Sequence, residues 1–219
     1  MRIRTRILNE SQDALTARLR SPLPTKQARS RRTRDALIAA AWKLLATRSW
    51  QVISISDLVK AAGCSVGAFY SRFADKEALL EALASEYLQA RWEEREKSFA
   101  ALEAEADYAA HAILGSYSHL MKHRNFWNAA LIRGANDPEF WEPFRASGLR
   151  TLGLTIECHE RRIRRKLSNE EVQRISFAFQ MANGAINNGI VNRPGPLLPG
   201  TPEFKAELVR GFKAVSGLD

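Results

Sequence analysis

Cysteine is scarce: Cys64 and Cys158 are the two in 219 residues. Two cysteines so far apart make neither a disulfide framework nor a metal-ligand spacing. Long hydrophobic runs are missing too. No stretch approaches the roughly 20 apolar residues that span a bilayer. The opening MRIRTRILNESQDALTARLR has no apolar core of the signal-peptide kind. A cytoplasmic protein without a membrane partner is expected. Enzymatic signatures are absent as well: no phosphate loop, no dinucleotide fingerprint and no nucleophile elbow. No catalytic residue and no cofactor is therefore expected. Histidine numbers four. His111, His119 and His123 read as lying on one helix, and His119 and His123 have the spacing of a two-histidine metal site. A third ligand is not evident, so no metal is expected.

Positive charge is what the chain has in excess, and it is unevenly placed. The formal net charge is +9. Residues 1–76 hold 15 Lys/Arg against 5 Asp/Glu, and residues 77–219 hold 18 against 19. An anionic partner should meet the N-terminal end.

Residues 1–30 read as a basic, flexible arm, broken at Ser21-Pro22-Leu23-Pro24. A helix follows over 31–48, with Leu37, Ala40, Ala41, Leu44 and Leu45 on one face. Arg31 adjoins it and is expected at a phosphate. The stretch 54–73 reads as a helix-turn-helix. Ser54 caps a helix over 55–62 with Asp57 in its first turn. Gly63 ends that helix, because glycine takes the left-handed conformation without steric cost. Ser65 caps the second helix, Val66 to Arg72. That helix is slim at its start, so its N-terminal end can enter a DNA major groove. Ser65, Val66, Gly67, Ala68, Ser71 and Arg72 are expected to face the groove, with Phe69 and Phe73 in the bundle core. Asp75 caps a long fourth helix. Lys76 sits in its first turn, against the helix dipole, which suits a phosphate docked there.

These residues resemble the DNA-binding domain of the tetracycline-repressor (TetR) family over residues 31–90. The resemblance is carried by Ala36 to Leu45, Ser54-Ile55, Leu58 to Ser65, Gly67-Ala68-Phe69-Tyr70, Phe73 and Asp75 to Leu79. It implies an all-α homodimer of about nine helices. An N-terminal three-helix bundle with a helix-turn-helix (31–91) is joined by the fourth helix to a C-terminal ligand-binding and dimerisation domain (92–219). Also implied are an inverted-repeat operator in double-stranded DNA and a repressor released by a small apolar or amphipathic effector. Tyr70 and Lys76 resemble the family's operator-phosphate contacts, and Ser54 is taken with them. Three departures stand out. Ser49 replaces a usual glycine, which predicts a reshaped or strained helix end. Cys64 replaces a valine and is expected to be buried. Val66 replaces a commonly basic residue and suits a thymine methyl. The alternative function is an architectural DNA-binding protein without an effector.

The rest of the chain reads as helices at 107–124, 126–135, 138–166, 169–191 and 203–216. Ser168 to Glu171 is a capping box. Tyr117, Trp127 and Phe177 are the pocket candidates, on helices that surround the ligand in the family. The family dimerises through its last two helices. Ala182, Ala185 and Gly189 with Phe204, Leu208 and Phe212 are the interface candidates, with an intramolecular core as the alternative. The run Arg161 to Lys166 reads as a salt-bridged, solvated surface.

Overall fold

The computed structural model describes residues 28–102 and 107–218. The expected N-terminal arm therefore lies outside the described residues, except the backbone of 28–30. Among the described residues there are nine α-helices and no strand. They are α1 (Ala28–Leu45), α2 (Ile55–Ala62), α3 (Val66–Tyr70), α4 (Lys76–Ala100), α5 (Tyr108–Lys122), α6 (Arg124–Gly134), α7 (Pro138–Ile163), α8 (Asn169–Val191) and α9 (Pro202–Ser216). A short 3-10 turn, Trp50–Val52, lies between α1 and α2. No described helix is long and apolar enough to cross a membrane.

The chain divides into two compact units, one of which takes residues from both sides of α5. The first contains α1 to Ala90 of α4, together with residues 123–141. The second contains the remaining described residues, from Arg91 of α4 through α5 and from Glu142 of α7 onward. This differs from a single division near residue 91, because α6 packs with the N-terminal helices. The reason is an aromatic cluster. Phe126 lies 5.0 Å from Trp42 and 4.9 Å from Tyr87, ring centre to ring centre. His123 meets the same two rings edge-on. Asn125 Nδ2 donates to the Leu45 carbonyl at 2.8 Å. Arg133 then ties α6 to α4 through Glu81 at 2.5 Å and Glu77 at 3.3 Å.

In the first unit α1 buries Leu37, Ile38, Ala40, Ala41 and Leu45, while Leu44 is half-buried. Leu58, Val59, Phe69, Phe73, Leu79, Leu80 and Leu83 complete this core. The end of α1 is unstrained. Ser49 has φ −71° and ψ 150°, ordinary extended backbone open to any residue. The amides of Ala46 and Arg48 bond back to Trp42 and Leu44, so the chain leaves the helix without a left-handed residue. The expected strain at Ser49 is thus corrected. Cys64 is half-buried rather than buried.

In the second unit α8 and α9 pack side by side. Ser168 and Glu171 form the capping box that starts α8. Thr201 caps α9, with Pro202 at its first position. The shared face carries Ala182, Ile186 and Gly189 from α8 against Phe204, Leu208 and Phe212 from α9. A Cβ at Gly189 would overlap the Pro199 ring, so the close approach requires glycine there.

Candidate nucleic-acid interface

The helix-turn-helix is built from its caps outward. Ser54 Oγ accepts the Asp57 amide at 3.0 Å, and Asp57 Oδ2 accepts the Ser54 amide at 2.9 Å. This reciprocal pair satisfies two donors at the start of α2. The Arg48 guanidinium donates to the same Asp57 oxygen at 3.0 Å. That bond, with those from Ser54, holds the Asp57 carboxyl far below the usual carboxylate range. Gly63 ends α2 at φ 65°. Ser65 Oγ then accepts the Ala68 amide at 3.1 Å and starts α3. Phe69 and Phe73 turn inward and are buried, as the spacing requires.

The opposite side of α3 faces outward. Val66 is 48% exposed and Tyr70 54% exposed. Ser65, Gly67 and Ser71 are also exposed, and Ala68 and Arg72 are half-buried. A Cβ at Gly67 would meet only Ser65 Oγ, at 3.9 Å. Gly67 is therefore not kept small by a crowded helix crossing. Tyr70 packs edge-on against Phe69 at 5.4 Å while staying open to solvent. Arg72 Nη1 donates to the Ser71 carbonyl at 2.9 Å. Arg31 is exposed on α1 and Ser54 at the cap of α2. Val52, in the 3-10 turn, is 62% exposed.

Lys76 behaves differently from the expectation. Its Nζ donates to the Trp50 carbonyl at 2.6 Å and to the Ile53 carbonyl at 2.8 Å, and it lies 4.8 Å from the Trp50 ring centre. Burial pushes the ammonium pKa down, and Glu77 opposes the shift. In this structure the side chain therefore fastens the 3-10 turn to α4, its ammonium spent on two carbonyls rather than offered to a phosphate. The signal for this was in the sequence: a lysine in the first turn is misplaced for the dipole unless a specific acceptor holds it. Asp75 Oδ1 accepts the Ala78 amide at 2.7 Å and caps α4.

The other candidates are redistributed. Ala182, Gly189, Phe204, Leu208 and Phe212 are buried within the single chain, so they are core between α8 and α9 and not free interface anchors. Ala185 alone of that set is exposed. Phe177 is 60% exposed, which removes it from any enclosed pocket. Tyr117 is buried, stacked on Phe204, and its hydroxyl accepts the Gly200 amide at 2.7 Å. Trp127 belongs to the first unit, against Tyr87 and Trp141. Tyr117 and Phe177 belong to the second unit. The histidines separate also. His123 precedes α6 rather than continuing α5. His111 bonds Ser98 at 2.7 Å and His119 meets Glu94 at 3.2 Å. Among the described residues no group of three or more His, Cys, Asp or Glu could hold a metal ion. In the run Arg161 to Lys166, Arg165 pairs with Glu171 at 2.6 Å and Lys166 with Glu160 at 2.8 Å.

A capped helix, a glycine turn and a second capped helix with an open outer face define a helix-turn-helix protein. Residues 37–83 match the family described as bacterial regulatory proteins, tetR family. The chain is similar in fold to a Rhodococcus sp. protein classed as a TetR-family transcriptional regulator. The TM-score is 0.55 at 15% identity, over 84% of this chain and 98% of that one. It is also similar to a TetR-family transcriptional regulator from Streptomyces coelicolor, with TM-score 0.57 and 19% identity, over 88% of this chain and 82% of that one. No curated protein matches the sequence. Residues 37–83 thus match a TetR-family domain, and the chain shares the all-helical fold of these two structures.

Proposed function

We propose that this protein is a sequence-specific DNA-binding regulator that acts in the cytoplasm as a homodimeric repressor and leaves its operator when an effector binds. The observation that carries the reading is the outer face of α3. Val66, Gly67 and Tyr70 are held in place by the Ser65 cap and the buried Phe69, and each stays exposed among the described residues. Ser65, Val66, Gly67 and Ala68 are too small for bidentate base contacts, so base choice rests on Arg72, on thymine methyl contacts by Val66, and on DNA shape. Tyr70, Ser71, Ser54 and Arg31 supply the phosphate contacts that fix register. Lys76 contributes by holding the 3-10 turn.

The second copy docks on the outer face of α8 and α9. Phe177, Met181, Gly184, Ala185 and Asn188 recur at helical spacing and are exposed. The Met181 methyl lies over Gly211 of α9, so the stripe continues onto the neighbouring helix. A mainly apolar stripe that begins at an exposed phenylalanine can pair with its own copy across a two-fold axis. Two recognition helices then address an inverted repeat with half-sites about 34 Å apart. Effector binding changes that separation through α4.

The test is selection of duplexes from a random library by the full chain, followed by fluorescence anisotropy on the enriched sequence. An inverted repeat is expected, with affinity falling steeply between about 50 and 200 mM salt. Tyr70→Ala should weaken binding about tenfold or more, with the dimer intact. Enrichment without sequence preference would favour the architectural alternative, and affinity insensitive to salt would remove DNA as the partner.

A further inference from the structure

The second unit contains a cavity of about 70 Å³ between α4 and α5, room for a few water molecules or one small solute. Arg91, Glu94, Arg95 and Ser98 line it from α4, one helical stripe, and His111 and Gly115 from α5. His119, paired with Glu94, completes the lining. The groups that could orient a ligand here are two guanidiniums, two imidazoles, a hydroxyl and a carboxylate.

Both guanidiniums are held by the same hydroxyl. Arg95 Nη2 donates to Ser116 Oγ at 2.8 Å and Arg91 Nη2 at 3.1 Å. Arg95 is only 6% exposed, and its Nη1 also donates to the Ala112 carbonyl at 3.4 Å. Arg91 and Arg95, at i and i+4, bring two positive charges to one wall of the cavity, beside the single carboxylate of Glu94. His111 adds a hydrogen-bonding edge without a third charge. Burial, then the Arg95 charge, push its pKa below the ordinary value, so it is neutral at pH 7. Gly115 supplies an independent sign. It lies inside α5, where glycine is a poor helix residue. The nearest atom to a Cβ built there is Arg95 Nη2, at 4.0 Å. A larger side chain would project toward the guanidinium and fill the cavity.

We propose that this cavity binds a small carboxylate, with its two oxygens toward the Arg91 and Arg95 guanidiniums and the Ser98 hydroxyl. A planar carboxylate matches the guanidinium fork, and a single charge suits a site that already holds Glu94 at its mouth. The effector role of that carboxylate rests on the DNA-binding reading above. The structural route is α4 itself, which begins in the helix-turn-helix unit and carries Arg91 to Ser98 farther along.

Isothermal titration calorimetry of the full chain at constant ionic strength tests the site, with acetate, propionate and benzoate as probes. Chloride and inorganic phosphate are the controls. At least one carboxylate should bind saturably, one per chain, with a dissociation constant on the order of millimolar or tighter. Gly115→Leu should weaken it about tenfold or more while the melting temperature holds or rises. Arg91→Gln should weaken it similarly. Absence of saturable carboxylate binding, equal binding by Gly115→Leu, or phosphate binding tighter than every carboxylate would overturn the proposal. The anisotropy assay separates the two readings. Carboxylate binding that leaves DNA affinity unchanged keeps the site and removes its effector role. Intact DNA binding without carboxylate binding removes the site alone.

Discussion

The helix-turn-helix and the α8–α9 pair both carry small residues, and they use them in opposite directions. On α3, Gly67 and Ala68 leave an outer surface low: a Cβ at Gly67 would touch almost nothing. On α8, Ala182 and Gly189 let another helix and a proline ring come close, and both are buried. The contrast teaches that small residues at helical spacing announce a close approach without saying what approaches. For α3 the body proposed to approach is DNA. For Ala182 and Gly189 it is the chain's own α9 and the loop before it. The side of α8 proposed to meet a second copy is marked instead by a large residue left in the open, Phe177.

The contrast is broken most severely at Phe177. Phe177→Asp places a charge on the largest apolar side chain of the exposed stripe. It should convert the dimer to a monomer in analytical ultracentrifugation and weaken operator binding about 100-fold through lost bivalency. The monomer's helicity should be unchanged, since Phe177 is 60% exposed. Phe212→Asp, on the buried face, should instead unfold the second unit. If both variants remain dimeric, the stripe is not the interface.

Lys76→Ala sharpens the comparison on the helix-turn-helix side. Two carbonyls lose their ammonium donor, so the variant should be less stable by about 1–3 kcal/mol in urea. A residue that only touched DNA would leave stability unchanged. Ser65→Ala removes the cap of a helix only five residues long and should cost about 1 kcal/mol, read by the same denaturation. The smallest effect concerns pH. Asp57 titrates far lower folded than unfolded, so its contribution is full above about pH 4 and fades as pH falls toward the folded pKa. The melting-temperature gap between wild type and Asp57→Asn should therefore be constant from pH 7 to 5 and narrow below pH 4.

Much of the helix-turn-helix was legible because its determinants are local. Ser54, Gly63, Ser65 and Asp75 each stop or start a helix through bonds within three or four residues, and such bonds depend little on the rest of the fold. Helix limits farther along were readable for the same reason, at Pro138, Ser168 and Pro202. Periodicity also placed Phe204, Leu208 and Phe212 on one face of α9. It could not say whether that face meets α8 of the same chain or of another, because both surfaces exclude water alike.

By itself, then, the sequence determined an all-helical chain, a capped helix-turn-helix at 54–73 and a positive charge gathered around it. Local hydrogen bonds and charge counts suffice for these. Only the tertiary structure decided which partner each long side chain reaches. It turned Lys76 from a candidate phosphate ligand into a tie between Trp50 and Ile53, joined α6 to α4 through Arg133, and brought Arg91, Arg95 and His111 around one cavity. The Lys76 and Arg133 pairings join residues 23 to 56 positions apart, and a long side chain finds its acceptor only when packing has placed the helices.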